Sequence, residues 1–458
     1  MTPLITGYRD VQSADVAMTT GQYSDAARLY AVAARLLPWR ADIWEKRGAA
    51  AFAAGDYVAA IGLFATAQQH APLSARGWVQ LGSAYWTTGN DPLATSTWKA
   101  GSLAHPDDAH LLDQLAYAYH QQADYESERV TLQKRLTLGD DASTHYRLGL
   151  LLLLSDGASA SRHLQLAAID PNFEPATRTL LAAWEASVQQ SNRGEAMLVV
   201  GRAFGLVEEW GLAALEFARL ANADPRNADA WAWLGESRQH IGQDGLPALD
   251  RALGLAPRDG TVPILRGLYF RRQEQYSEAI SEYGRAAELE PTNAAVQSSL
   301  GETYAASGDL VAALAAYQQA TVLAPAESAY WRLLALFCAD NSIQVAEIGL
   351  PAAKKAADLA PQDAAVLDAL GWSYAQAGYF DQAEKTLKRS FEASPALASP
   401  HVHLAVIYLR LGKNADALDQ LNLALQIDPS GPAAQSARRL LDQYFPNSEI
   451  PPSPPPPP

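Results

Sequence analysis

Bulky apolar residues recur three and four positions apart along most of the chain, as Trp78, Leu81 and Tyr85 do, with polar and charged residues between them. That spacing lays the apolar groups along one stripe of an α-helix. The stripes are short and regularly interrupted. Gly55, Gly89, Gly308 and Gly378 supply the positive φ that turns the chain, and a proline closes each following stripe. The pattern predicts short helices in antiparallel pairs.

The interruptions keep a period. Pro38, Pro72 and Pro106 lie 34 residues apart, and the spacing returns at Pro257, Pro291 and Pro325, then at Pro361, Pro395 and Pro429. Other slots hold the same phase. One unit reads Trp44, Gly48, Gly55, Tyr57, Ala60, Phe64, Ala67, Pro72, and a later one Leu300, Gly301, Tyr304, Gly308, Ala313, Tyr317, Ala320, Pro325. A glycine inside a helix costs about 1 kcal/mol. Its return at Gly48, Gly82, Gly235, Gly267, Gly301 and Gly371 implies that another helix comes close there. The alanine of the second helix, Ala60 or Ala313, is the expected small surface opposite.

These residues in this phase resemble the tetratricopeptide repeat (TPR), a helix–turn–helix unit of the same period. The resemblance covers nearly the whole chain. It implies an all-α, right-handed superhelical solenoid of antiparallel helix pairs, with about twelve repeats. The units at 107–140, 142–171 and 226–257 are weaker or shortened, and 326–361 is longer by two residues. Between Pro171 and Pro225 lie 54 residues, one unit and an extra helical stretch from Pro175 to Gln190, so the array is expected to break near 172–192. Three parts follow: an N-terminal array with a capping helix at 1–191, a C-terminal array at 192–446 ending in a solvating helix at about Pro432 to Tyr444, and a disordered proline-rich tail at 447–458. A rival reading is one superhelix with an inserted helix. The tail carries no arginine to orient it in an aromatic groove, which favours a tail over a ligand.

Composition narrows the function. The 35 basic and 50 acidic residues leave a net charge of −15, which argues against nucleic acid and anionic membrane as partners. The greasiest stretch, Leu148 to Leu154, is far below the roughly 20 residues of a membrane span. The N-terminus lacks the basic and apolar run of a signal peptide. The one cysteine, Cys338, falls in an inward slot and allows no internal disulfide. These features point to a cytoplasmic address.

Chemistry is scarce. No phosphate-binding glycine loop is present, and no catalytic or metal residue, and no cofactor, is assigned. His401 and His403 stand two apart on a helix and face different ways, with His401 in a core slot. In the cluster His105, Asp107, Asp108, His110, an aspartate serves more simply as a helix N-cap. The expectation is not an enzyme but a scaffold or adaptor binding partner peptides or helices in a concave groove. The alternatives are an accessory subunit of an enzyme or secretion/assembly complex and, behind it, an enzyme with a site in a groove. The oligomeric state is left open.

In the geometry the resemblance implies, inward slots of the first helices hold Phe52, Gln80, Trp86, Tyr117, His120, Tyr146 and Arg147 in the first array. In the second they hold Trp233, Leu265, Leu268, Arg271, Arg272, Arg332, Leu336, Trp372 and Arg410. Aromatics and arginines are what interface hot spots favour; Trp233 and Leu268 could equally complete packing between units. The mixed wall of the second array suits a partner with apolar anchors and acidic groups. One TPR subset clamps the carboxylate end of chaperone tails with an asparagine in a defined slot. Here that slot holds Ala49, Ser83, Tyr117, Leu268, Glu302, Leu336, Trp372 and Val406, so no such clamp is expected.

Overall fold

In a computed structural model that describes residues 3–446, every regular element is helical. The chain forms two compact units that divide between Pro225 and Arg226. The first holds α1 (Pro3–Thr19), α2 (Tyr23–Leu36), α3 (Asp42–Ala53), α4 (Tyr57–His70), α5 (Ala75–Thr87), α6 (Asp91–Ala104), α7 (Ala109–Gln121), α8 (Tyr125–Leu136), α9 (Ala142–Leu153), α10 (Gly157–Ala167), α11 (Glu174–Val188), α12 (Arg193–Leu206) and α13 (Trp210–Ala223). The second holds α14 (Ala228–His240), α15 (Leu246–Leu255), α16 (Thr261–Arg272), α17 (Tyr276–Leu289), α18 (Ala294–Ser307), α19 (Leu310–Leu323), α20 (Ser328–Asp340), α21 (Leu350–Leu359), α22 (Ala364–Gln376), α23 (Phe380–Ala393), α24 (Ser399–Arg410), α25 (Asn414–Ile427) and α26 (Pro432–Tyr444).

Each pair closes on a turn that local chemistry specifies. Gly55, Gly89, Gly308 and Gly378 do take positive φ, and Asp56, Asp124, Asp156 and Asp309 accept from the first-turn amides of the second helix. Ala123, Glu208 and Glu274 hold the same left-handed conformation without being glycine.

The mid-helix glycines do admit a neighbour, though not the expected one. A Cβ on Gly82 would lie 2.3 Å from the Trp98 indole nitrogen, and one on Gly48 2.9 Å from the Phe64 ring. Gly267 faces Tyr283 and Gly301 faces Tyr317 in the same way. The complement is thus a bulky residue four positions after the alanine. A ring can come this close to the helix backbone only where no Cβ stands, and Trp98 uses the approach to donate its indole N–H to the Val79 carbonyl at 3.1 Å. The alanines, Ala60 and Ala313 among them, are fully buried beside it.

In both units consecutive helices pack as antiparallel neighbours. First helices also approach the first helix of the next pair: α3 with α5 and α5 with α7 in one unit, α14 with α16, α20 with α22 and α22 with α24 in the other. Second helices make no comparable approach to one another. Each stack therefore curves with its first helices on the inside.

The extra helix at 175–190 is α11. It packs against α9 and α10 on one side and α12 on the other, so it continues the stack of the first unit. The division at Pro225 falls one helix pair after the loop at Ser191 to Gly194 where the sequence suggests a boundary. The two surplus residues of the 326–361 unit go into a π-turn, Val345–Gly349, which leads directly into α21. At the far end α26 buries Ala434, Ala437 and Leu441 against α24 and α25. The expected proline tail lies outside the described residues.

Candidate functional site

The surface on which the sequence concentrates unusual residues is the inner wall of each unit. In the first unit the wall is aromatic. Phe52 on α3 meets Tyr57 edge-on at 5.4 Å, Trp86 on α5 meets Tyr117 on α7 edge-on at 5.6 Å, and Tyr146 on α9 stacks on Phe173 at 5.0 Å. All three inward rings, and Tyr117, are half-buried. Each is braced by a neighbouring ring, Trp86 by Trp98 as well at 5.8 Å, and each keeps part of its surface exposed, which is how an aromatic serves as a rigid anchor.

A charged cluster joins this wall at α7, α8 and α9. Glu128 is buried and carries two partners: His120 Nδ1 at 3.0 Å and Arg147, whose Nε donates at 2.9 Å and whose Nη2 also pairs with the same oxygen. A buried carboxylate is tolerable only with such partners. The turn between α12 and α13 reaches the same place, with Glu209 3.6 Å from His120 Nε2. Burial holds the Glu209 carboxyl above its usual range, against the pull of His120 and Arg147. Burial, with the charges of Glu128 and Glu209 adding, pushes Tyr125 up to about 12.

In the second unit the wall is laced by polar contacts between residues one repeat apart. Arg272 donates from both terminal nitrogens to Glu236, at 2.9 and 2.7 Å, and Arg271 pairs with Glu302. Trp372 is buried and donates its indole N–H to Asp340 at 2.7 Å while stacking on His403 at 4.5 Å. His403 and Ser399 share the buried carboxylate of Asp368. Burial disfavours the His403 cation, yet Asp368 outweighs it and raises the pKa. Arg410 reaches Gln376 at 3.0 Å and lies over the Trp372 ring.

The inward residues thus divide by role. Leu265 is core, and Leu268 and Trp233 pack half-buried against it. Arg271, Arg272 and Arg410 are held by neighbours one repeat away. Arg332, half-buried on α20, makes no hydrogen bond or ion pair among the described residues, and Leu336 stands one turn further on the same helix face. The acids Glu128, Glu236, Asp340 and Asp368 are the wall residues that sequence reasoning missed, and Glu302, placed in an inward slot, was not matched to Arg271. The signal was present: each of the last four stands one repeat, or a few residues either side of one, from the residue it binds.

The other clusters resolve into packing. His401 stacks on Phe391 and bonds Gln420, while His403 faces Asp368. Asp108 caps α7, and His105 bonds the carbonyl of Leu73. Burial pushes the Cys338 thiol up to about 11, which leaves it unreactive. Among the described residues no group of three or more His, Cys, Asp or Glu could hold a metal ion, and no helix is long and apolar enough to cross a membrane. A cleft of about 290 Å³ at the seam of α9 to α13 holds Glu216, which burial pushes up to about 7; its carboxylate pairs with Arg219, which also grips the Leu154 carbonyl.

Family models described as tetratricopeptide repeat match residues 11–75, 242–295, 270–337 and 369–432. Anaphase-promoting complex subunit CDC16 of Saccharomyces cerevisiae is 30% identical over 183 residues, 40% of this chain and 20% of that protein. The chain therefore matches about one fifth of that relative's length. Among solved structures, the APC/C hetero-tetramer Cut9-Hcn1 aligns over 93% of this chain and 95% of its own at 14% identity and a TM-score of 0.44. Yeast Tom70 aligns over 95% and 96%, at 14% identity and a TM-score of 0.41.

Proposed function

The chain is a tetratricopeptide-repeat protein, and from that premise we propose that it is a cytoplasmic, non-catalytic scaffold that binds segments of other proteins along the inner walls of its two units. One observation carries this reading. Half-buried aromatics, Phe52, Trp86, Tyr117 and Tyr146, stand on four successive inner helices, α3, α5, α7 and α9, each in contact with another ring and each with surface left over. Braced rings lose little side-chain freedom on binding, which makes them efficient contact groups. In the second unit Arg332 and Leu336 offer a cation beside an apolar surface, a match for a segment with an acidic residue next to an apolar anchor. The name of the CDC16 relative, a subunit of a multi-protein complex, agrees with this role.

The test uses variants that leave the internal ion pairs intact. Trp86→Ala with Tyr117→Ala addresses the first wall, and Arg332→Glu with Leu336→Ala the second. Affinity capture from native lysate, read by mass spectrometry, is expected to lose a distinct set of partners with each double variant. Identical partner sets at wild-type yield with both would overturn the reading.

A further inference from the structure

The cleft at the seam of α9 to α13 opens where α11 interrupts the succession of helix pairs. There α10 begins at Gly157, whereas other second helices begin with Tyr57, Tyr125, Trp210 or Tyr276. A Cβ on Gly157 would lie 2.0 Å from the Trp184 ring, so the bare backbone gives place to an indole of α11. Trp184 stays half-buried and lines the cleft. Glu216 lines it too, with only 5% of its side chain exposed. Its slot on α13, three residues after an alanine and one before a bulky core residue, recurs along the chain. In three other second helices that slot holds an acid, an imidazole or an amide. Each is answered from the first helix of its own pair, 16, 18 or 19 residues earlier: Glu282 by Arg266, His163 by His145, Gln420 by His401. Glu216 has Val200 and Met197 in those places and takes Arg219 from its own helix instead. A buried carboxylate among apolar neighbours is costly, and a slot needed only for packing is filled as Leu63 and Ala316 fill it.

Arg219 is held by one nitrogen: its Nη1 donates to Glu216 at 3.0 Å and to the Leu154 carbonyl at 2.9 Å. Its Nε and Nη2, the edge by which Arg40 grips Asp42, meet no acceptor among the described residues. Arg193, at the start of α12, lines the same cleft and makes no hydrogen bond or ion pair among the described residues. Helices α9, α10 and α11 contribute no charged residue to the lining. Two guanidiniums against one carboxylate thus leave the cleft net positive in a chain of net charge −15.

We propose that this cleft binds a small amphipathic carboxylate, its head on the free edge of Arg219 and on Arg193, its apolar body against Trp184 and Met197. A guanidinium edge meets a carboxylate with two parallel bonds. The volume, about 290 Å³, lies at the small end of ligand sites, which run from roughly 300 to 1,000 Å³. That suits an acid with one ring or a short chain. Glu216 makes the site sensitive to acidity. The charges bearing on it are Arg219 and Arg193, and burial outweighs both, pushing it up to about 7. Ionised, it repels an incoming carboxylate; protonated, it donates to one. Affinity therefore rises as pH falls through about 7. None of these residues is among those of the inner walls, so the site goes beyond the scaffold reading.

The probes are phenylacetate, phenylbutyrate and hexanoate, titrated calorimetrically against the full chain, each beside its amide and its amine. At least one acid is expected to bind, more tightly in acid than in base, with its amide and amine about tenfold weaker. Arg193→Gln removes a guanidinium that has no partner inside the fold and is expected to cost about tenfold in affinity. Glu216→Gln, neutral at every pH, is expected to bind as wild type does in acid and to lose the dependence on pH. If the glutamine at 216 prevents folding, Arg193→Gln and the amines still give the answer. Absence of binding by every acid up to about 10 mM, an amine that binds as well as its acid, or full affinity in Arg193→Gln would overturn the proposal.

Discussion

The two inner walls are built from the same repeat and finished differently. In the first unit rings brace rings, and polar contact on the wall is gathered around Glu128 where α7, α8 and α9 meet. In the second, carboxylates reach across to the next pair from α14 through α24, so that most of the wall's charge is answered within the fold. The same positions therefore do two jobs. Where a first-unit slot holds an aromatic, the ring is half-buried and keeps exposed surface. Where a second-unit slot holds an arginine matched by an acid one repeat away, it locks successive pairs together, and a cation such as Arg332 stands out because it lacks that match.

The contrast can be broken first at Arg272. Arg272→Ala would leave the buried Glu236 carboxylate with only His240 and Gln239 beside it, and a loss of about 3 kcal/mol is expected. Denaturant melts, with hydrogen exchange to place the loss in the second unit, check it; an unchanged midpoint would mean the lacing is ornamental.

Acidity separates the units next. The Glu216 pKa is raised from 4.5 to about 7, so within that window the folded first unit holds a proton that the unfolded chain releases. Stability must then fall as pH rises from 4.5 to 7, by at most about 3 kcal/mol. His403 contributes stability that is fully present below 6.5 and is lost as pH climbs through its raised folded value. Glu216→Gln should flatten the first slope in pH-dependent melts and leave the second.

The glycine joints differ in tightness. Gly82→Ala drives a Cβ into the Trp98 ring and should cost about 3 kcal/mol, against about 1 kcal/mol for Gly301→Ala, whose ring contact lies at 3.0 Å. Equal shifts in melting would show that the rings yield alike. The smallest effect serves as a control: Ala123→Gly and Glu274→Gly relieve positive φ in one unit each, and both should gain about 0.5 kcal/mol.

Much of this was legible in the residues. The period, the paired helices, the positive-φ glycines and the last helix all follow from spacing, because repeated packing demands repeated residue types. The partner of the mid-helix glycines was misjudged, since composition alone does not say whether an alanine or the ring beyond it fills the gap. Left-handed turns at Ala123, Glu208 and Glu274 carry no glycine to announce them; the fold imposes them. On the walls the aromatics were readable, whereas the role of Arg271 and Arg272 was not, because an arginine looks the same whether its acid lies on a partner or one repeat away. Trp372 likewise reads as an anchor until Asp340 and His403 are seen to hold it.

Where a mid-helix glycine meets a ring, as Gly48, Gly82, Gly267 and Gly301 do, the joint lies inside one helix pair, while the salt bridges of the second wall run between pairs. Gene duplication or deletion of a whole pair would therefore carry that contact along unbroken, although the pair still needs neighbours to bury its apolar face. Lengthening or shortening such a chain by complete pairs disturbs only the looser seams, where a single arginine-to-acid match has to be restored.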